Sequence, residues 1–357
     1  MAEAPLLLHV YPAFAVGGSQ TRFAAVANHF GRRWRHAIIA MDGNIACRER
    51  LDPGLDVTFP AVDIRKGDTL GNIRRFRHFL TATRPHTLIT SNWGSIEWAM
   101  ANQATGIRHV HVEDGFGPEE RSTQLPRRVL TRRLFLRRRT VVLPSQTLRR
   151  IATEIWKLDP ARVIYVPNGI DLSRFTPRAI PREGVPVIGT VAALRPEKNL
   201  QRLLEAFAKL ATIRPLRLTI VGDGPQRGEL EVLASRLGIA DAVTFAGHQR
   251  DPADLVRDFN IFALSSDTEQ MPISVLEAMA AGLPVAATDV GDVRAMLSAA
   301  NAPMVGPLDA NSLATSLQAL LDDPGKARAI GAANRAKAET DYADTDMFAA
   351  YARLFDG

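Results

Sequence analysis

The chain has 357 residues, 46% of them apolar and 23% charged, enough for two domains of ordinary size and unlike the make-up of a disordered or fibrous protein. A single cysteine, Cys47, excludes an internal disulfide framework and points to a reducing, cytoplasmic compartment, and no apolar run approaches the ~18 residues that span a bilayer. The formal net charge of +6 is carried by arginines that are unevenly spread.

Leu6 to Val10 reads as a first buried strand, and with no basic stretch before it the N-terminus does not read as a signal peptide. Gly17-Gly18-Ser19-Gln20 then turns into a helix with Phe23, Val26, Ala27 and Phe30 on one face. Strand, glycine turn and helix set backbone N–H groups against a phosphate or a sugar, although a Gly-Gly pair serves equally as a plain tight turn. Strands are predicted at 36–41, 55–59, 87–90 and 107–112, and helices at 70–83 and 93–102. Such alternation predicts a parallel sheet with helices on both faces and ligands beyond the C-terminal ends of the strands. The strand 107–112 runs through His111 into Glu113-Asp114-Gly115-Phe116-Gly117. Taken alone, His111 is a candidate core histidine and Asp114 a turn cap before Gly115.

From Arg121 to Arg150 there are ten arginines, no lysine and no acid. Arg127-Arg128, Arg132-Arg133 and Arg137-Arg138-Arg139 alternate with Val129, Leu130, Leu134, Phe135 and Leu136, which as a helix is basic and partly amphipathic. An anionic membrane surface fits Arg127–Arg139, at roughly 1 kcal/mol per nearby basic residue, and so does a diphosphate gripped by guanidinium forks. A solvated helix face is the plain alternative. Nucleic acid is set aside, because no aromatic stacking platform accompanies the run.

A strand at 141–144 leads to Ser145 and a helix ending near Trp156, and 162–166 closes the first domain. Pro167-Asn168-Gly169-Ile170-Asp171 is a turn, and Pro177, Pro181, Gly184 and Pro186 mark a linker, with the hinge read at Pro177–Pro186. A strand at 187–191 opens the second domain. In the loop that follows, Arg195 and Lys198 stand together before a helix starting near Leu200, where two cations and a helix N-terminus suit a diphosphate. A pair of ordinary surface charges is the alternative there. Leu218–Val221 turns at Gly222-Asp223-Gly224-Pro225, a short strand at 243–245 ends in Gly247-His248-Gln249, and 261–264 leads to Ser265-Ser266. Helices are predicted at 311–322 and 324–339, and a last one at 344–355 carries Met347, Phe348, Tyr351, Leu354 and Phe355.

Glu269 to Asp292 is the most informative stretch. Pro272 opens a helix on which Ile273, Leu276, Met279 and Ala280 recur at helical spacing, Gly282 suits the cap, and Val285–Thr288 returns as a strand. Glu269 lies in the loop before this helix and Glu277 about a turn and a half inside it. A helix N-terminus favours an anionic or polyhydroxyl ligand, and a glutamate within an apolar helix is costly to bury without a partner.

These two glutamates, eight positions apart and followed by Ala278-Met279-Ala280-Ala281-Gly282-Leu283-Pro284-Val285, resemble the E-x7-E signature of the retaining GT-B glycosyltransferases of family 4. The P-N-G-I-D string resembles that family's passage into its second domain. The likeness covers the second half closely and the first half in outline. It implies an α/β GT-B fold of two facing doubly wound Rossmann-like domains with a deep interdomain cleft. Residues 1–175 would form the acceptor-side domain, with 344–357 crossing back onto it, and 176–343 the nucleotide-sugar-binding domain.

The resemblance further implies that Glu269 contacts the donor sugar and Glu277 the ribose hydroxyls. Met271, Pro272, Ile273 and Gly222 would line the donor site, with the backbone around His248 and Gln249 at the base. Arg195 and Lys198 would hold the diphosphate and stabilise the departing nucleotide, and Gly17 and Gly18 would face the cleft beside the phosphates or the acceptor. Members often carry a histidine at the strand end near 112. Here Asp114 falls nearest that place and His111 is the other candidate, a carboxylate there being able to orient the acceptor hydroxyl or take its proton. One departure is Gln270, where many members have glycine.

The activity implied is retaining, metal-independent hexosyl transfer from a nucleotide sugar, expected to be a UDP-sugar. The acceptor implied is a lipid-linked or membrane-surface glycan precursor or a glycolipid, reached from the cytoplasm or from the inner face of the membrane. No cofactor is called for, since the nucleotide sugar is a substrate, and no metal, since Asp52, Asp56 and Asp63 lack ligand spacing. A sugar-nucleotide epimerase on the same fold stays open, as does a non-catalytic sugar-nucleotide-binding protein, which Asp114 in place of a histidine would fit.

Overall fold

The computed structural model describes residues 3–120, 123–178 and 184–357. Arg121, where the basic run starts, and residues 179–183 of the segment read as a hinge lie outside the described residues. Backbone contacts divide the chain into two compact units, Met1–Pro167 with Met347–Gly357, and Asn168–Asp346.

In the first unit the strands are β1 (Leu6–Tyr11), β2 (Arg35–Ala40), β3 (Val57–Thr58), β4 (Thr87–Ser91), β5 (Arg108–Val112), β6 (Thr140–Leu143) and β7 (Val163–Tyr165), all parallel in the order β3-β2-β1-β4-β5-β6-β7. Helices α1 (Gly18–Phe30), α2 (Thr69–Thr83), α3 (Ile96–Ala101), α4 (Pro126–Leu136) and α5 (Gln146–Glu154) connect them. The central strands are apolar runs because both faces of a crossover sheet are covered. β3 shrinks to two residues of the 55–59 predicted. It is an edge strand that pairs only through His36–Val57 and Ala37–Thr58, and Leu55 is drawn into a turn by its N–H bond to the Asp52 carbonyl.

This sheet carries polar groups in its core on both faces, His9 and His36 on one and Thr90, His109 and His111 on the other. His9 Nε2 lies 3.1 Å from His36 Nδ1, and Thr90 Oγ1 lies 2.7 Å from His109 Nε2 and 2.8 Å from His111 Nδ1. All four rings are buried. The last helix, α13, spans Asp344–Asp356, and Met347, Phe348, Tyr351, Leu354 and Phe355 on it pack with Leu7, Val26, Trp34, Ile89 and Val110.

The second unit has β8 (Val187–Val191), β9 (Arg217–Val221), β10 (Val243–Gly247), β11 (Ile261–Leu264), β12 (Val285–Thr288) and β13 (Val305–Gly306), in the order β10-β9-β8-β11-β12-β13 and again all parallel. Its helices are α6 (Leu200–Ala211), α7 (Arg227–Arg236), α8 (Ala253–Arg257), α9 (Ile273–Ala280), α10 (Val293–Met296), α11 (Ala310–Asp322) and α12 (Pro324–Asp341). α6 shows why the pattern works: Leu200, Leu203, Leu204, Phe207 and Leu210 form one buried stripe, and Asn199 caps the helix by accepting from Arg202 N–H. β13 was not legible in the sequence, because two residues have no period to detect.

Residues 168–175 group with this second unit rather than with the strands before them. Asn168 Nδ2 donates to the Met271 carbonyl at 2.8 Å, Ile170 N–H to the Tyr342 carbonyl at 2.8 Å, and Arg335 to the Phe175 carbonyl at 2.7 Å. The Phe175 ring is buried in the core that contains Val275 and Leu276. Both units are thus Rossmann-like, each with a central first strand and the chain order reversing beside it.

Candidate active site

In a sheet ordered this way the crossovers diverge at the first strand and its fourth-strand neighbour, leaving a crevice at their C-terminal ends. In the second unit these strands are β8 and β11. The loop after β8 carries Arg195 and Lys198, and the loop after β11 carries 265–272. Lys198 Nζ meets Glu269 Oε1 at 2.6 Å, with the two side chains 24% and 11% exposed. Ser266 Oγ donates to the same carboxylate oxygen at 2.7 Å, and Thr288 Oγ1 on β12 holds the Ser266 carbonyl at 2.7 Å. The sequence therefore brings Lys198 and Glu269 together as an ion pair at the switch point.

Gly291 fixes the far side of this loop. It sits at φ +55°, and a Cβ there would lie 2.3 Å from the Glu269 carbonyl oxygen. Gly291→Ala adds a left-handed alanine to a backbone collision. It is expected to cost about 1–2 kcal/mol, read as a lower midpoint of urea unfolding; an unchanged midpoint would show that the loop yields freely.

Arg195 is exposed, and among the described residues its guanidinium pairs with no acid. Gly222, at φ +137°, lies with its Cα against the Ala192 carbonyl, where a Cβ would come to 1.9 Å, so the loops after β8 and β9 touch as bare backbone. His248 is exposed, and Gln249 is folded back, its Nε2 donating to the Ala246 carbonyl at 2.8 Å. α9 starts at Ile273, with Pro272 as its cap rather than its first residue, no side chain capping it and no acid in its first turn. Ile273 and Glu277 are half-buried on this helix. Met271 departs from the expected donor lining. Its side chain is 5% exposed in the core, and its sulfur accepts the Asn168 N–H at 3.2 Å.

At the end of β5 the first unit holds a second cluster. Asp114 pairs with Arg22 at 2.6 Å, their side chains 16% and 5% exposed, and the Asp114 N–H donates to Asn92 Oδ1 at 2.7 Å. Its Oδ2 is buried with no hydrogen-bond partner among the described residues. Burial works against the Arg22 charge, but Asp114 and then Tyr351 outweigh it and hold the guanidinium above its ordinary range. Tyr11 is pushed well up, chiefly by burial. These groups, with His9 and Ser19, line one cavity. Gly17 has extended backbone and caps α1 with no side-chain bond, while Gly18 is the first helical residue. Gln20 Nε2 reaches back to the Ala13 carbonyl at 2.8 Å and steadies the loop.

Two expectations are corrected here. His111 is fully buried, with Nδ1 on Thr90 and Nε2 3.4 Å from Glu113 Oε2, so its ring belongs to the core of the sheet rather than to an exposed strand end. The basic run is not one free face either. Arg132 is buried, with Nε 3.1 Å from Glu113 and Nη1 3.2 Å from Glu120, and Arg128 Nη1 lies 3.0 Å from Glu120. The Arg132 guanidinium packs 5.2, 5.3 and 4.8 Å from the ring centres of Trp93, Phe116 and Trp156. The signal was present: Glu119-Glu120 stands just before the acid-free stretch, and Arg128, Arg132 and Leu136 recur every four residues along α4.

Two family models match successive parts of the chain: Glycosyltransferase Family 4 over residues 16–174 and Glycosyl transferases group 1 over 174–337. The D-inositol 3-phosphate glycosyltransferase of Stackebrandtia nassauensis is 28% identical over 77% of this chain and 66% of its own length. A GDP-mannose-dependent monoacylated alpha-(1-6)-phosphatidylinositol monomannoside mannosyltransferase of Corynebacterium glutamicum is 32% identical over 50% of this chain and 52% of its own. The chain thus matches less than two thirds of the length of either curated relative. Among solved structures, Anabaena HepE in complex with UDP-glucose covers 99% of both chains with a TM-score of 0.83 at 18% identity, a likeness of fold. With both halves matched by these models and both sheets wound in the same order, the chain belongs to the family 4, group 1 glycosyltransferases.

Proposed function

We propose that the protein is a retaining glycosyltransferase that moves a sugar from a nucleotide sugar, with UDP as the nucleotide, to an acceptor hydroxyl. The observation that carries this is the Lys198–Glu269 pair at the β8/β11 switch point, beside the exposed Arg195. Lys198 and Arg195 take up charge on the departing diphosphate, fixed electrostatic help that needs no reorganisation in the transition state. Glu269 turns from Lys198 to the sugar hydroxyls once the diphosphate replaces it as the lysine's partner. The α9 N-terminus offers N–H donors, and Glu277 takes the ribose. His248 and Gln249 lie at the end of β10, where their backbone meets the base. Retention follows from attack on the same face as the departing diphosphate, with no covalent sugar–enzyme intermediate. Asp114, ion-paired to Arg22, orients the acceptor hydroxyl by accepting its hydrogen bond. The protein works without a metal or other cofactor, in the cytoplasm or at the inner face of its membrane.

The test is thermal unfolding of the full chain with UDP, GDP, ADP and their sugars. A ligand at 100 times its Kd stabilises by about 2.7 kcal/mol. A shift confined to the UDP series is expected. A shift with GDP alone would move the donor toward that of the mannosyltransferase relative, and no shift with any nucleotide would sink the donor site. Conversion of the bound donor to its epimer without an acceptor would favour the isomerase alternative.

The acceptor proposed is a lipid-linked glycan precursor or a glycolipid at an anionic membrane surface. Support comes from the outer face of α4, opposite the buried Arg128 and Arg132, where Leu130 and Leu134 are 56% and 53% exposed among the exposed Arg127, Arg133, Arg137 and Arg138. No helix among the described residues is long and apolar enough to cross a membrane. Arg133→Gln with Arg137→Gln removes about 2 kcal/mol of surface attraction, roughly 30-fold in partitioning. Flotation with phosphatidylserine vesicles at low salt is the readout, and unchanged flotation would leave α4 a solvated face.

A further inference from the structure

We infer that Arg202 and Asp267 are positioning residues that set the distance between Lys198 and Glu269, an inference that rests on the donor role proposed for that pair. Neither belongs to the E-x7-E signature. Arg202 lies in the first turn of α6 and is 9% exposed. Its Nη2 donates to Asp267 Oδ1 at 2.7 Å and its Nη1 to the Ser265 carbonyl at 2.6 Å. One guanidinium fork therefore holds two points of the loop that leads to Glu269, a geometry an ammonium group cannot reproduce.

The reverse bonds run from the same loop to the other. The Asp267 N–H donates to the Glu197 carbonyl at 2.9 Å, and Ser265 Oγ to the Lys198 carbonyl at 3.0 Å. Asn199 Nδ2 donates to Asp267 Oδ1 at 3.1 Å. Asn199 is held in the left-handed conformation at φ 42°, so the chain turns sharply straight after Lys198. All three residues 197, 198 and 199 are thus tied to 265–267, and Glu269 follows two residues on. A buried ion pair contributes little net stability, because desolvation offsets its attraction. What this pair supplies is registry between two loops that come from different strands.

The experiment is calorimetric titration of the full chain with UDP. Six forms are compared: wild type, Arg202→Lys, Asp267→Asn, Lys198→Ala, and each of the first two variants combined with Lys198→Ala. Arg202→Lys keeps the charge and loses the fork. It should bind UDP about tenfold more weakly, with an unfolding midpoint close to wild type. In the Lys198→Ala background it should have no further effect, because a group that acts through Lys198 has nothing left to position. Asp267→Asn, which keeps the shape and removes the charge, should weaken UDP in the same direction and lose its effect in the same background. Losses that simply add to that of Lys198→Ala, or wild-type affinity in both single variants, would overturn the positioning role while leaving the donor site standing. Wild type that takes up no UDP, or Lys198→Ala that binds it as wild type does, would sink the donor assignment and the inference with it.

Discussion

Lys198→Ala is expected to slow sugar transfer by about 10²–10³-fold, the loss typical of removing one fixed charge or donor at a developing anion. The lysine stands at the switch point with its side chain 24% exposed and a single carboxylate oxygen 2.6 Å from its ammonium nitrogen. In the free protein that contact compensates both charges. In the reaction the diphosphate gains negative charge as the glycosidic bond lengthens, and the ammonium group is already in place. Alanine leaves the helix cap at Asn199 and the Arg202–Asp267 bonds untouched, so the fold should hold. Glu269→Ala is expected to fall by a similar factor, for a different reason. The sugar loses a hydroxyl acceptor, and Ser266 Oγ and Lys198 both lose their partner. The two can be told apart by UDP titration: Lys198→Ala weakens the bare nucleotide, whereas Glu269→Ala weakens the UDP-sugar relative to UDP. Turnover is read as UDP released from the UDP-sugar that the thermal screen selects, and near-normal rates in both variants would remove the pair from the chemistry.

The part of this site that lies in one continuous stretch was legible from the sequence. Glu269, the α9 stripe of Leu276, Met279 and Ala280, and Gly282 at φ +71° are local features with a period, a cap and a signature. Five of the six strands of the second unit, all but β13, were read to within a residue or two for the same reason, since each is an apolar run bounded by a turn residue. What was not legible depends on partners distant in sequence. The acid-free arginine run suggested one exposed basic helix, but Arg132 closes on Glu113 and Glu120, acids that lie outside the run itself. His111 was a candidate at the reacting centre because of where it falls on the strand, and only its neighbour strand, through Thr90, shows it to be core. Arg202 and Asp267 are 65 positions apart and join only when β8 and β11 become neighbours.

The buried histidines make the first unit acid-labile, and this is expected to be the largest stability effect in the molecule. His9 is held well below its ordinary pKa by burial and then by His36, and His109 by burial, then His111 and Arg139. His36 is lowered to about 4, burial outweighing the opposing pull of Asp56. All three are therefore neutral in the folded chain at pH 5, while the unfolded chain protonates them near 6.5. The unfolded state then binds more protons, so stability falls as pH drops below about 6.5 and stops falling only below the folded pKa values. Each depressed histidine acts in the same direction, so the loss deepens steadily as the pH falls from 6.5 towards 5. Urea unfolding followed by tryptophan fluorescence at pH 7.5, 6 and 5 reads this directly, because all four tryptophans, Trp34, Trp93, Trp98 and Trp156, lie in the first unit. His109→Gln keeps a hydrogen-bond group for Thr90 and cannot titrate, so it should reduce the slope by about a third. A midpoint independent of pH across this window would mean that the rings are protonated or solvated in the folded chain. The polar groups on the two faces of β1, β2 and β5 would then be wet seams rather than parts of the core.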